Sequence, residues 1–91
     1  MIQTRRLVIN GVVQGVGFRY AMAAQAQRLG IAGWVRNRRD GGVEAMVSGD
    51  AAQVAAMLDW SRRGPAGAVV DRVIDEAASG DFVGFEIRPS A

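Results

Sequence analysis

The chain contains no cysteine, no histidine and no lysine, so its 11 basic residues are all arginines. These absences exclude a thiol nucleophile, a histidine base, a Schiff-base lysine and any metal site built from cysteine and histidine. The sequence also lacks an apolar run long enough for a signal peptide or for a membrane span of about 20 residues. We therefore expect a cytoplasmic protein with no membrane partner.

Length and charge set further bounds. The 91 residues suit one domain spanning 1–91, and 49% hydrophobic with 22% charged residues is typical of a folded globular protein. A net charge of +2 is too small to imply a nucleic-acid partner. The arginines form three clusters, each of which is either a local anion site or a set of solvated charges: Arg5–Arg6, Arg36–Arg39 and Arg62–Arg63.

The first third of the chain predicts a strand followed by a helix. Apolar residues alternate over Leu7–Val13, which indicates a strand with Leu7, Ile9 and Val13 on its core face. A glycine-rich stretch interrupts this pattern. The segment Arg19–Leu29 then predicts a helix with a buried stripe of Met22, Ala26 and Leu29, and Gly30 is placed to end it.

The rest of the chain predicts four strands and a second helix. The helix spans Ala51–Arg63, with Asp50 as its N-cap and with Val54, Met57 and Leu58 buried. The four strands, the first two joined by an Asp-Gly turn, are Ile31–Asn37, Val43–Ser48, Val69–Ile74 and Phe82–Ile87.

This order of elements defines a fold class. It matches an α+β, ferredoxin-like βαββαβ sandwich, in which a mostly antiparallel sheet carries two helices on one face, here with a short extra C-terminal strand. In such a sheet we expect the strand that ends at Val13 to neighbour the strand that ends at Asn37, which would bring Asn37 beside Arg19. Because this fold hosts many functions, the function has to come from the site.

The segment Gly11–Arg19 is a glycine-rich connection from a strand to a helix. Free backbone N–H groups and the helix N-terminus favour an anion there, since Gly15 and Gly17 permit positive φ and Arg19 adds a guanidinium. The segment is not a P-loop, which needs lysine, nor the dinucleotide fingerprint, in which glycine takes the place of Tyr20. The alternative interpretation is a tight turn with Arg19 exposed.

A second segment, Gly33–Glu44, places Asn37 among three arginines near a strand end. Asparagine is a poor strand former, so Asn37 either starts a turn or holds a water through an amide that both donates and accepts hydrogen bonds. An anion cradle beside a water-positioning amide suggests attack of water on phosphorus.

The two segments closely resemble the acylphosphatase signatures. Gly11–Arg19 matches the family's G-x-V-Q-G-V-x-F-R, and Gly33–Glu44 matches its G-x-V-x-N-x-x-D-G-x-V-E completely. The resemblance continues through Gly64–Asp71 and Gly84–Ile87, so it spans nearly the whole chain in the right order.

The resemblance implies hydrolysis of the carboxylic–phosphoric anhydride of a small-molecule acyl phosphate, which releases inorganic phosphate without a metal or cofactor. By the same resemblance, Arg19 binds the phosphoryl oxygens, Asn37 orients the attacking water, and the phosphate itself accepts the water proton. The residues whose backbone amides would complete the phosphate cradle are Gly15, Val16, Gly17, Phe18 and Arg19. We expect a monomer with no nucleic-acid partner.

Two residues depart from the family pattern, and other functions compete with this one. Ser61 and Asp75 stand where bulkier apolar residues are expected, which puts the packing under the second helix and the fourth strand in doubt.

One alternative is a non-catalytic anion- or RNA-binding module, although the aromatic motif of RNA-recognition modules is absent. Another is the acylphosphatase-like domain of hydrogenase-maturation carbamoyltransferases, which the chain length disfavours. No segment outside the phosphate site predicts a shaped acyl pocket.

Overall fold

Two helices pack on one face of a five-stranded sheet in the computed structural model, which describes residues 1–91. The helices are α1 (Phe18–Leu29) and α2 (Ala51–Arg63). The strands are β1 (Ile2–Val12), β2 (Ala32–Asn37), β3 (Val43–Asp50), β4 (Val69–Ala77) and β5 (Phe85–Ile87). Their order across the sheet is β4-β1-β3-β2-β5, and only the β2–β5 pair is parallel. The predicted ferredoxin-like sandwich is confirmed.

The strand order corrects one expectation. β1 and β2 are not neighbours, because β3 lies between them and pairs with both. Val43 shows this directly, since it is the register partner of Ile9 on one side and of Asn37 on the other. The connection from β1 through α1 to β2 skips one strand position in the sheet. That position is taken by β3, the hairpin partner of β2. Asn37 therefore lies about 10 Å from β1, two strand spacings away.

Three element boundaries differ from the prediction by three residues or more. β1 begins at Ile2 rather than Leu7, and β4 continues past Ile74 to Ala77. Both extensions are stabilised by ion pairs between strands, such as Arg5 with Asp75 at 2.7 Å, so charged residues do not end either strand. β5 begins at Phe85 rather than Phe82, because Gly84 has φ +68° and interrupts the extended chain.

The core lies between the sheet and the helices. Every residue assigned to the core face of the first strand is fully buried, and so are most of the predicted helix stripes. The confirmed core residues are Leu7, Ile9, Val13, Met22, Ala26, Val54 and Met57. Leu29 and Leu58 are only partly buried against this cluster.

The predicted helix ends are confirmed. Gly30 ends α1 in the left-handed conformation with φ +73°, and its N–H donates to the carbonyls of Ala26 and Gln27. Asp50 caps α2 by accepting a hydrogen bond from the Gln53 backbone N–H, and the Gln53 side chain accepts one in return from the Asp50 N–H. These caps satisfy backbone groups that a helix end otherwise leaves unpaired.

The two departures from the family pattern are accommodated by hydrogen bonds. Ser61 is fully buried on α2, and its hydroxyl donates to the carbonyl of Met57 at 2.8 Å. Asp75 accepts from the Arg5 guanidinium at 2.7 Å. A buried polar group with a partner, such as Ser61, costs little stability, and the Asp75 carboxylate is partly exposed and paired, so the doubt about packing at both positions is removed.

The face of the sheet that carries no helix has a buried carboxylate. Glu44 on β3 is 6% exposed and accepts from Arg6 of β1 at 2.7 Å and from Arg36 of β2 at 2.8 Å. Burial alone would raise the pKa of Glu44, but the hydrogen bonds and charges of the two arginines outweigh it and hold the pKa below its ordinary value. Glu44 thus connects three adjacent strands.

Replacing Glu44 with glutamine is expected to lower the free energy of unfolding by about 1–3 kcal/mol at pH 7, since Arg36 loses its charged partner and Arg6 keeps only the exposed Glu76. A carboxyl with a lowered folded pKa stabilises above its unfolded pKa and loses that contribution as the pH falls through the folded value. The difference in the free energy of unfolding between variant and wild type should therefore narrow below about pH 4.5, the ordinary pKa of a glutamate carboxyl. Urea unfolding at several pH values across this range measures that difference. The exposed Glu86 supplies the control, because Glu86→Gln should change stability little at any pH.

Candidate active site

The connection from β1 to α1 has the backbone conformation that its glycines predicted. Gly15 has φ +76°, and Gly17, the N-cap of α1, has φ +77°. A Cβ atom at either position would meet nothing within 4 Å, so the backbone angle and not crowding requires glycine. The loop between Val12, the end of β1, and Phe18, the start of α1, turns the chain from the strand into the helix.

The backbone N–H groups from Gly15 to Arg19 donate to no backbone acceptor of the protein. No side chain caps α1, and its first turn holds no acidic residue. The first hydrogen bond of the helix begins one turn later, where the Ala21 N–H donates to the Gly17 carbonyl at 3.0 Å. A row of free donors at the positive end of a helix is a binding site for an anion.

Arg19 is the second residue of α1 and is half-buried. It takes part in none of the seven ion pairs of the protein, although six other arginines do. Its guanidinium has therefore no carboxylate partner and is available to an external anion. The structure places this group where the sequence predicted it, directly after the free N–H groups.

Asn37 is the last residue of β2 and is half-buried. Its register partner Val43 is fully buried in the core, so the Asn37 side chain lies on the face of the sheet that carries the helices. Ala91 fixes the backbone here: its N–H donates to the Asn37 carbonyl at 3.1 Å, and its own carbonyl accepts from Arg39 at 3.0 Å. Asn37 is held as part of a strand and does not start the turn.

Gln14 is the residue that connects the two segments. Its side-chain amide donates to the carbonyl of Arg38 at 2.7 Å and to that of Gly42 at 2.8 Å. The loop is thus attached to the β2–β3 turn, immediately after Asn37. No role for Gln14 was predicted from the sequence. Only its polar character at a fixed place in the first motif marked it. The predicted link between the two segments, direct pairing of their strands, is wrong.

Replacing Gln14 with alanine is expected to lower kcat for an acyl phosphate roughly threefold to tenfold, because the β2–β3 turn loses its two hydrogen bonds to the loop and Asn37 shifts. Inhibition by inorganic phosphate should change less than twofold, since the N–H groups remain. Steady-state kinetics separate these two effects. Gln14→Met keeps the length of the side chain without its donor or a new charge and should show the same loss; normal turnover in both variants would contradict the positioning role.

The two surface cavities of the protein lie outside the loop. One, of about 430 Å³, is lined mainly by arginines of the helix-free face and of the β2–β3 turn. The other, of about 250 Å³, lies along the first half of β4. Neither cavity includes a residue from 13 to 19, and within the loop Gly15 and Gly17 are exposed whereas Phe18 is buried.

The fold and this loop together define a class of protein: an α+β sandwich that presents a free helix N-terminus, an unpaired arginine and an asparagine at one end of its sheet. Neither helix has the length and apolar character needed to cross a bilayer.

The chain belongs to the acylphosphatase family, whose model matches residues 5–87. It is 55% identical to an acylphosphatase of Albidiferax ferrireducens over 87 residues, which cover 96% of this chain and 95% of that protein. It superposes on the structure of an acylphosphatase from Coxiella burnetii with a TM-score of 0.92 and 31% identity, covering 96% of this chain and 93% of the other. A full-length HypF in its phosphate- and nucleotide-bound form contains a similar segment, 29% identical with a TM-score of 0.92, which makes up 12% of that chain.

Proposed function

We propose that the protein hydrolyses acyl phosphates to a carboxylate and inorganic phosphate, by direct attack of water on phosphorus. Membership of the acylphosphatase family and the high identity to proteins of that name support the reaction. The observation that carries the mechanism is the row of free N–H groups from Gly15 to Arg19, which is suited to the oxygens of a phosphoryl group.

In this mechanism the loop and Arg19 bind the phosphoryl group. The N–H groups of Gly15, Val16, Gly17, Phe18 and Arg19 donate to its oxygens, and the planar guanidinium of Arg19 donates two parallel hydrogen bonds. Charge on the equatorial oxygens is stabilised as the transferring group passes through its transition state. The peptide N–H donors are fixed by the fold before substrate arrives, so they need little reorganisation.

Asn37 positions the water. Its amide accepts a hydrogen bond from the water and donates one to it, which aligns the water oxygen opposite the leaving group. A bond forms from the water oxygen to phosphorus, and the bond from phosphorus to the acyl oxygen breaks. The carboxylate leaves without a proton, and a phosphoryl oxygen takes the proton of the water. The reaction therefore needs neither an acid nor a base from the protein.

Several expectations accompany this function as predictions: a single domain over 1–91, catalysis without a metal or cofactor, a monomer, no nucleic-acid partner and a cytoplasmic location. The donor set supports the first step of this mechanism without a metal, because arginine and peptide N–H groups supply the positive charge that a phosphoryl group needs.

Replacing Gly15 with valine is expected to lower kcat/KM roughly tenfold to thirtyfold. A β-branched residue at φ +76° is strained by an amount on the order of 1–2 kcal/mol, and the loop relaxes by turning its N–H groups away from the phosphoryl group. Inhibition by phosphate should weaken in parallel. Gly84→Val is the matched control, since Gly84 has φ +68°, equally open surroundings and a position outside the loop.

The reaction is tested with purified protein and benzoyl phosphate near neutral pH in the presence of EDTA. We expect rapid hydrolysis, release of one phosphate per benzoate and no change when EDTA is added. Activity that EDTA abolishes would overturn the metal-independent mechanism. A folded protein that binds phosphate but hydrolyses neither benzoyl nor acetyl phosphate would be a non-catalytic anion-binding module instead.

A further inference from the structure

The β2–β3 turn, residues 38–42, is held by one carboxylate, that of Asp40. Its Oδ1 accepts from the backbone N–H of Gly42 at 3.0 Å, and its Oδ2 accepts from Nε of Arg38 at 3.1 Å. These two residues are also joined to each other, since the Arg38 N–H donates to the Gly42 carbonyl at 2.8 Å. An aspartate that binds the N–H two residues further on closes the chain into an Asx-turn. Asp40 therefore contacts both residues that bracket the turn.

Gln14 contacts the same two residues from the side of the phosphate loop. The carbonyls that accept from its side-chain amide are those of Arg38 and Gly42, at 2.7 Å and 2.8 Å. A planar amide donates in two fixed directions, so both bonds form only while the two carbonyls keep their mutual orientation. That orientation is set inside the turn, where Asp40 is the one side chain that accepts from the backbone.

We propose that Asp40 is a positioning residue for the hydrolysis: it keeps the two carbonyls of the turn directed at Gln14, and so keeps Asn37 in place relative to the phosphate loop. This inference rests on the proposed function, in which Asn37 aligns the water with the phosphoryl group that the loop binds. Asn37 directly precedes Arg38, so a turn that changes shape also moves the end of β2. Small displacements at a reacting centre have large effects on its rate.

The hydrogen bond to Gly42 carries this role, and the ion pair with Arg38 contributes less. The side chains of Arg38 and Asp40 are 33% and 55% exposed, so water screens their attraction. Gly42 is buried, and its N–H would lose its partner if the Asp40 oxygen were removed. The same N–H, more than the Arg38 guanidinium, holds the pKa of Asp40 below its ordinary value. A turn without this acceptor has to rearrange to satisfy the Gly42 N–H.

The experiment compares Asp40→Ala, which removes both interactions, with Asp40→Asn, which keeps an oxygen for the Gly42 N–H but loses the charge. Asp59→Ala is the matched control, since Asp59 is an exposed aspartate of α2 that pairs with Arg63 at 3.6 Å. Gln14→Ala and its double variant with Asp40→Ala complete the set. Steady-state kinetics with benzoyl phosphate, inhibition by inorganic phosphate and thermal unfolding are measured for each variant. Hydrogen exchange of the Gln14 side-chain amide, followed by NMR, reports on the link itself.

We expect Asp40→Ala to lower kcat roughly threefold to fivefold, with less than about a twofold change in KM and in inhibition by phosphate. Asp40→Asn and Asp59→Ala should keep kcat within about 1.5-fold of the wild type, and the double variant should stay within about 1.5-fold of Gln14→Ala, because both changes break the same link. The Gln14 amide should exchange faster in Asp40→Ala than in the wild type.

Four results would overturn the inference and leave the proposed function intact: an unchanged kcat or unchanged Gln14 exchange in Asp40→Ala, the same loss in Asp59→Ala, no recovery in Asp40→Asn, or losses that multiply in the double variant. A wild-type protein that is folded and hydrolyses neither benzoyl phosphate nor acetyl phosphate would overturn the proposed function, and the inference with it.

Discussion

Replacing Arg19 with glutamine is expected to lower kcat/KM for benzoyl phosphate by roughly 10³-fold or more, the range in which arginines that stabilise a transferring phosphoryl group act. The reason is that Arg19 has no carboxylate partner and follows directly on the free N–H groups, so its charge is fully available to the phosphoryl oxygens. Glutamine retains a donor but loses the charge and the two parallel hydrogen bonds. Inhibition by inorganic phosphate should weaken strongly as well.

The control for this variant is Arg28→Gln. Arg28 lies in the last turn of α1, is exposed and has a hydrogen bond to Gln25 as its only side-chain contact of this kind. The Arg28→Gln variant removes the same charge from the same helix, at the end away from the loop. We expect its kcat/KM to change less than twofold. Arg19→Gln with unchanged phosphate inhibition would show that the guanidinium does not bind the phosphoryl group.

Replacing Asn37 with alanine is expected to lower kcat roughly 10²-fold to 10³-fold, while inhibition by phosphate changes less than twofold. The water loses the group that aligns it, and an effect of this size is typical when a preorganised polar group is removed from a reacting centre. The side chain is at a strand end whose backbone is fixed by β3 and by Ala91, so the fold should survive the change.

The measurement is a full steady-state comparison with product inhibition, together with thermal unfolding to confirm the fold. Gln27→Ala removes an exposed carboxamide from α1, far from the loop, and should leave kcat unchanged. If Asn37→Ala weakened phosphate inhibition as much as Arg19→Gln does, the amide would bind the phosphoryl group rather than the water. Full turnover in the variant would remove Asn37 from the mechanism altogether.

Local signals in the sequence were sufficient for most of the fold. The core face of β1 follows from strict alternation, and Gly30 and Asp50 mark helix ends because their conformation and side chain are required there. The sequence did not predict the start of β1 at Ile2. A strand that contains Arg5 and Arg6 is stable only because carboxylates of β3 and β4 pair with these arginines in the folded sheet. Such partners, Asp75 for example, lie up to 70 residues away in the sequence.

In the candidate site, too, some features were predictable from the sequence and others were not. Positive φ at Gly15 and Gly17 was predictable, since the strand-to-helix turn cannot form otherwise. The link through Gln14 was not, because its acceptors are backbone carbonyls 24 and 28 residues further along, and a carbonyl has no signature in the sequence. The position of β3 between β1 and β2 was missed for a related reason. Element order alone does not say which hairpin strand pairs with the first strand.

The place of β1 inside the sheet, between β4 and β3, also has a consequence for synthesis on the ribosome. β1 emerges first, yet its partners are β3 and β4, and β4 lies about 70 residues later in the chain. At about 5–20 residues per second, the apolar face of β1 waits on the order of several seconds without its second partner. Contacts this distant in sequence also slow folding, because loop closure comes before the stabilising pairing. A nascent chain of this protein therefore passes through a period in which the β4 side of β1 is an open sheet edge.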